Sequence, residues 1–175
     1  MTSTAAAVDD RSAIREGFIT GLIGAAVVAL FYLGVDLIRG MPLLTPSVLG
    51  ETFVLRRPDS VTTQVDMTAV GLYTVVHLLI FSAFGLALVA TIRRAETSSL
   101  ARYAILPIFM AFGVFFIGVL AIASETTRGL FPVGSVLAAN ALSALAMGWY
   151  LWRSHPGLRA AFGRAPLGAP DLASE

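Results

Sequence analysis

Residues 69–92, AVGLYTVVHLLIFSAFGLALVATI, decide the fold. The 24 residues contain no Lys, Arg, Asp or Glu, and a helix of that length rises about 36 Å, enough to cross a hydrocarbon core. The run is closed by Arg93 and Arg94. It also holds His77, the one ionisable side chain well inside any of the long apolar runs. A polar group in that position must face protein or water rather than lipid.

Working outward, three further runs have the same character. Gly17 to Ile38 is apolar up to Asp36, and Gly17, Gly21, Ala25 and Ala29 recur every fourth residue. A stripe of small residues lets a second helix approach closely. A secretory signal would have an apolar core of about 7–15 residues and a small-residue cleavage site; this run is longer and ends Asp-Leu-Ile-Arg, so it reads as a retained span. Tyr103 to Ala123 is the third, with Pro107 in its first turn, where a missing N–H does least harm. Phe131 to Trp152 is the fourth, with Ala139, Ser143 and Met147 on one face, Asn140 beside it, and Trp149, Tyr150 and Trp152 at its end as an interfacial aromatic group.

Composition agrees. Charged residues make up 13% of the 175 and hydrophobic residues 57%, against about 25% charged in a soluble domain. The formal net charge of +1 gives no case for nucleic-acid binding. All basic residues are Arg. There is no Cys, which excludes disulfides, thiolate metal sites and covalent c-type haem. The expected fold is therefore all-α: a transmembrane four-helix bundle with spans at about 17–38, 69–92, 103–123 and 131–152. Residues 1–12 read as a disordered tail, and 153–175 as a flexible one with a short turn near Leu158 to Phe162.

The longest connection, Arg39 to Met67, divides in two. Thr45 is placed to cap a helix with Pro46 at its first position, and Val48, Leu49, Thr52 and Phe53 share one helical face. A short amphipathic helix over about Pro46 to Leu55 is expected on the membrane surface or over the bundle, in the first extracytoplasmic loop. Arg56 to Thr63 is turn-like, and Asp66 or Ser60 starts the second span.

Orientation follows from the Arg distribution. The N-terminal tail, second loop and C-terminal tail carry Arg11, Arg15, Arg93, Arg94, Arg102, Arg153, Arg159 and Arg164, whereas the other side carries Arg39, Arg56, Arg57 and Arg128. The positive-inside rule places both termini in the cytoplasm. Asp36, Tyr73, His77, Glu125 and Asn140 then gather in the outer half of the bundle, and the inner half is almost wholly apolar. These five residues are the expected ligand or proton site. The structural alternative is a neutral His77 bonded across helices to Asn140, Tyr73 or a backbone carbonyl, with Asp36 paired to Arg39 and Glu125 to Arg128. No catalytic residues, metal site or cofactor are expected, since no nucleophile elbow, zinc motif, phosphate loop or dinucleotide fingerprint is present. His155 lies on the far side of the membrane from His77, which disfavours haem held by two histidines of one chain.

Asp36-Leu-Ile-Arg-Gly-Met-Pro-Leu-Leu-Thr-Pro46 with Leu49 and Gly50, Tyr73-Thr-Val-Val-His77 with Phe81, Phe84 and Gly85, Glu125, and Tyr150-Leu-Trp-Arg-Ser-His-Pro156 together resemble a group of small bacterial four-span membrane proteins with no assigned activity. The resemblance covers about residues 17–158 and implies the fold and the spans, but no reaction. Asp36, Pro42, Thr45, Pro46, His77 and Glu125 are the positions that match its pattern. Three functions are compatible: a non-enzymatic accessory or assembly subunit, with the bilayer and other membrane proteins or itself as partners; a small transporter or sensor using the outer polar site; and a redox subunit binding haem or quinone through His77.

Overall fold

A computed structural model describes residues 2–57, 64–96, 98, 103–105, 107–114 and 132–164. Among them only helices occur: α1 (Thr2–Ile38), α2 (Leu44–Leu49), α3 (Met67–Ala95), α4 (Tyr103–Val114), α5 (Val133–Ser154) and α6 (Pro156–Arg164). A five-residue π-helical turn, Gly50–Val54, continues α2. Three helices are long and apolar enough to cross a membrane: Arg11–Ile38, Met67–Ala95 and Val133–Ser154. Of the expected third span only α4 is described; the rest of it, with Glu125, lies outside the described residues. The helix of the first span reaches back to Thr2, through the stretch read as a tail.

The small-residue stripe is where α1 meets α3. A methyl group on Gly85 would land on backbone atoms of Gly17 and Gly21, and one on Gly21 would land on the backbone of Phe81 and Ser82. The two helices therefore touch main chain to main chain, which only glycine permits at these positions. Ala25 and Val28, farther along α1, are buried as well. On its other side α1 receives α5, whose buried residues Val136, Ala139, Ser143, Met147 and Leu151 follow helical spacing. The Ser143 hydroxyl donates to the Gly24 carbonyl at 3.2 Å. Phe81, fully buried, meets Phe112 of α4 edge-on, and Phe112 stacks on Phe84 at 4.1 Å between ring centroids.

The first loop is packed inward. Leu44, Thr45, Ser47, Val48, Leu49, Gly50 and Glu51 are all buried, so α2 is a plug seated on the start of α3 rather than a helix lying flat on a surface. Gly50 sits against the Ala69 carbonyl with no room for a Cβ. Asp66 caps α3 as expected, accepting from the amides of Thr68 (2.7 Å) and Ala69 (3.3 Å). Its own amide donates to the Ser47 hydroxyl at 2.9 Å, which ties plug to cap.

Thr45 is not the cap of α2. That position is Leu43, in the left-handed region at φ 66°, with no side-chain cap of its own. The cap comes from α1. The Thr45 amide donates to Asp36 Oδ2 at 2.7 Å and the Thr45 hydroxyl donates to Oδ1 at 2.8 Å. A carboxylate at a helix N-terminus meets unsatisfied N–H groups and the positive end of the helix dipole. The Asp36 side chain is thus tied to Thr45, nine residues on, by both of its oxygens.

Candidate cavity between the first and third helices

Below the glycine contact α1 and α3 are in touch; beyond it they leave a gap, and α2 closes its end. The result is a cavity of about 290 Å³ whose wall is almost entirely apolar. Ala25, Ala26 and Ala29 keep the α1 side open, with Leu22, Leu30 and Leu78 at its rim. Its few polar groups are side chains of Tyr32, Asp36, Thr45, Tyr73, Thr74 and His77. Three of the five residues expected to form a site, Asp36, Tyr73 and His77, are therefore brought to one cavity.

The other two are not. Asn140 faces a separate recess of about 20 Å³ on the opposite side of the bundle, lined by Phe84, Phe109, Phe112, Ser143 and Met147. Its amide nitrogen is buried there with no hydrogen-bond partner among the described residues. Glu125 lies outside the described residues. Asn140 and His77 are at similar depth in the sequence count, but they point from different helices to different sides of Phe81 and Phe84, and depth does not specify direction.

His77 is 7% exposed. Its Nε2 is 3.2 Å from the Ala25 carbonyl across the helix interface, and its Nδ1 is 3.4 Å from the Tyr73 hydroxyl one turn away. A carbonyl oxygen only accepts, so Nε2 carries a proton and donates to Ala25, while Nδ1 pairs with the Tyr73 hydroxyl, a group that can donate or accept. The imidazole joins α3 to α1, and the Phe81 ring lies against it, tilted, at 4.7 Å between centroids. Thr74 donates its hydroxyl to the Val70 carbonyl of its own helix at 2.7 Å.

Among the described residues no group of three His, Asp or Glu side chains is disposed to hold a metal ion. His77 packs on Ala25 and His155 on Glu16, nine residues or about 14 Å apart along α1, so the two histidines do not face one ligand. What the cavity offers is an apolar tunnel wall with hydroxyl groups at one side. Interhelical hydrogen bonds in membrane proteins are worth about 0.6 kcal/mol on average. The His77→Leu substitution keeps the volume and removes one such bond, and the Ala25 carbonyl retains its place in the α1 ladder. It is expected to lower stability by about 1 kcal/mol, read as the midpoint of SDS-induced unfolding; a loss several times larger would mark His77 as the main lock between α1 and α3.

The sequence reading missed Glu16, Glu96 and His155. All three sit within a few residues of a span end, in segments read as lead-in, loop and tail, and the structure buries His155 among them. The end of the bundle where α1 begins therefore carries a cluster of ionisable side chains. No family model, curated protein or solved structure matches this chain.

Proposed function

We propose that this chain is a non-enzymatic, four-span protein of a bacterial inner membrane, with both ends in the cytoplasm, that holds a neutral amphiphile in the cavity between α1 and α3. The observation that carries the reading is the cavity: it is apolar, it collects the Tyr32 and Tyr73 side chains with His77, and among the described residues no Arg lines it. Lipophilic ligands are held in concave apolar sites with a small number of placed polar groups. An anionic head would have no counter-charge there and would lie near the Asp36 carboxylate, whereas a hydroxyl or carbonyl head is matched by a tyrosine hydroxyl. An isoprenoid quinone belongs to this ligand class; haem, lacking a second axial side chain in the cavity, does not.

The four-span count is supported by direction. The second long helix ends, and α4 begins, at the end of the bundle where α1 starts, while α5 begins at the opposite end, an arrangement in keeping with a further span between them. The motif resemblance to small bacterial four-span proteins is in keeping with this count, and the Arg distribution supports the orientation.

The test is the protein's own cargo. Purified in mild detergent and analysed by native mass spectrometry, the parent chain is expected to carry one neutral lipid per protomer. The Ala29→Trp substitution, which fills the cavity from a partly open wall position, should abolish that mass increment while leaving unfolding within about 1 kcal/mol of the parent. A chain that comes away bare, or a filled variant that keeps its lipid, overturns the reading. A second reading, an accessory or assembly subunit of a larger complex, is supported by one observation: His77, Asp36 and Ser143 spend their hydrogen bonds inside the chain, which makes them packing devices. A native species far above 18.4 kDa plus its micelle, containing other polypeptides, would favour it.

A further inference from the structure

At the end of the bundle where α1 begins and α3 and α5 finish, groups distant in sequence converge. His155 follows the last turn of α5 and immediately precedes α6. It is 8% exposed. Its Nδ1 is hydrogen-bonded to Glu96 Oε1 at 2.9 Å, and its Nε2 lies 2.9 Å from Glu16 Oε1, an ion-pair contact not aligned as a hydrogen bond. Arg93 reaches the other Glu16 oxygen at 3.7 Å and donates to the Ser12 hydroxyl at 2.9 Å. Arg153 lies over the Trp149 ring, and Arg159 donates to the Arg153 carbonyl. Gly157, in the first turn of α6, packs against the Glu96 carboxylate, and Leu158 next to it is buried.

A carboxylate oxygen can only accept. With a carboxylate oxygen at 2.9 Å from each nitrogen, the ring is attracted to both only when both nitrogens carry protons, the Nδ1 contact as a hydrogen bond and the Nε2 contact as an ion pair. Among Glu16, Glu96, Arg93 and His155 a protonated ring balances the charges; without that proton, one nitrogen lone pair faces an oxygen and these four groups carry a net negative charge.

We propose that Glu16, Glu96 and His155 form a proton-binding site, and that the proton held by His155 clamps α6 and the adjoining ends of α1, α3 and α5 together. Histidine is the side chain that changes charge near neutral pH. Acid conditions keep the clamp closed; alkalinisation withdraws the proton, the ring gives up one carboxylate, and α6 comes away, uncovering Leu158. Because α1 and α3 are also the two walls of the cavity, the clamp acts on the same helix pair from its far end, yet it stands whether or not a lipid is bound there.

The absence of cysteine makes the test direct. Full-length chains carrying Leu158→Cys, or Ala160→Cys at an exposed position as the reference for the thiol's own pH response, are reconstituted in nanodiscs and labelled with a water-soluble maleimide. The ratio of the two rates is expected to rise about fivefold between about pH 6 and about pH 8.5, as local opening becomes easier. In a His155→Gln background the ratio should be high and flat. In a Glu96→Gln background the rise should shrink, because an amide oxygen accepts from a neutral ring. A ratio independent of pH in the parent, or an equal rise with His155→Gln, overturns the proposal. If His155→Gln does not accumulate in membranes, an undiminished rise with Glu96→Gln does so.

Discussion

The Gly85→Val substitution is expected to separate α1 from α3 and to lower the free energy of unfolding by about 3 kcal/mol. The added carbons have nowhere to go, since the position a Cβ would take is occupied by main-chain atoms of Gly17 and Gly21. A flexible side chain could rotate away from such an intrusion, whereas two helix backbones can only move apart, and doing so strips contact along Ala25, Val28 and Phe81 as well. Gly71, fourteen residues earlier on the same helix, is the matched control: a Cβ there meets nothing within 4 Å, so Gly71→Val should stay within about 0.5 kcal/mol of the parent. Both are read as midpoints of SDS-induced unfolding. Equal effects at the two positions would mean that the helices do not meet main chain to main chain.

Removing the carboxylate of Asp36 should release the first loop. Asp36 is 0% exposed and Thr45 is 3% exposed, so an Asp36→Leu chain leaves a buried amide and a buried hydroxyl without an acceptor. Each unsatisfied group costs about 1–3 kcal/mol, and the pair is expected to cost about 3 kcal/mol. The left-handed backbone at Leu43 adds to the consequence, because an L-residue with a large side chain holds that conformation only while its surroundings enforce it. The loop should then become a substrate for limited proteolysis at Arg56 and Arg57, both exposed, many times faster than in the parent. Thr45→Val, which removes the hydroxyl but leaves the amide bonded, should cost about 1 kcal/mol and leave the loop resistant. A loop that stays resistant after Asp36→Leu would show that the Ser47–Asp66 tie and the Gly50–Ala69 contact suffice to seat α2.

The sequence alone determined the three long apolar helices, to within a few residues where α1 stops and where α3 and α5 begin and end. An uncharged run such as Ala69 to Ile92 has one way to satisfy its backbone in lipid, and that requirement is local. The Asp66 cap and the face of Ala139, Ser143 and Met147 are local for the same reason, since each is set by partners within a few residues. The small-residue stripe in the first span also announced a close contact, though not with which helix.

Only the tertiary structure decided the pairings. Thr45 and Pro46 satisfy the local rule for a helix start, yet the acceptor for Thr45 is Asp36 on another helix, and a remote carboxylate competes with any local cap once folding brings it near. Asp36, Tyr73 and His77 reach one cavity while Asn140 turns to another, because the rotation of each helix about its axis is fixed by what it packs against. Glu16, Glu96 and His155 are each unremarkable in the chain, one before a span, one after, one ahead of a proline. Their chemistry arises from a distance of 2.9 Å across three helix ends, and a distance between segments is the quantity that periodicity and composition do not contain.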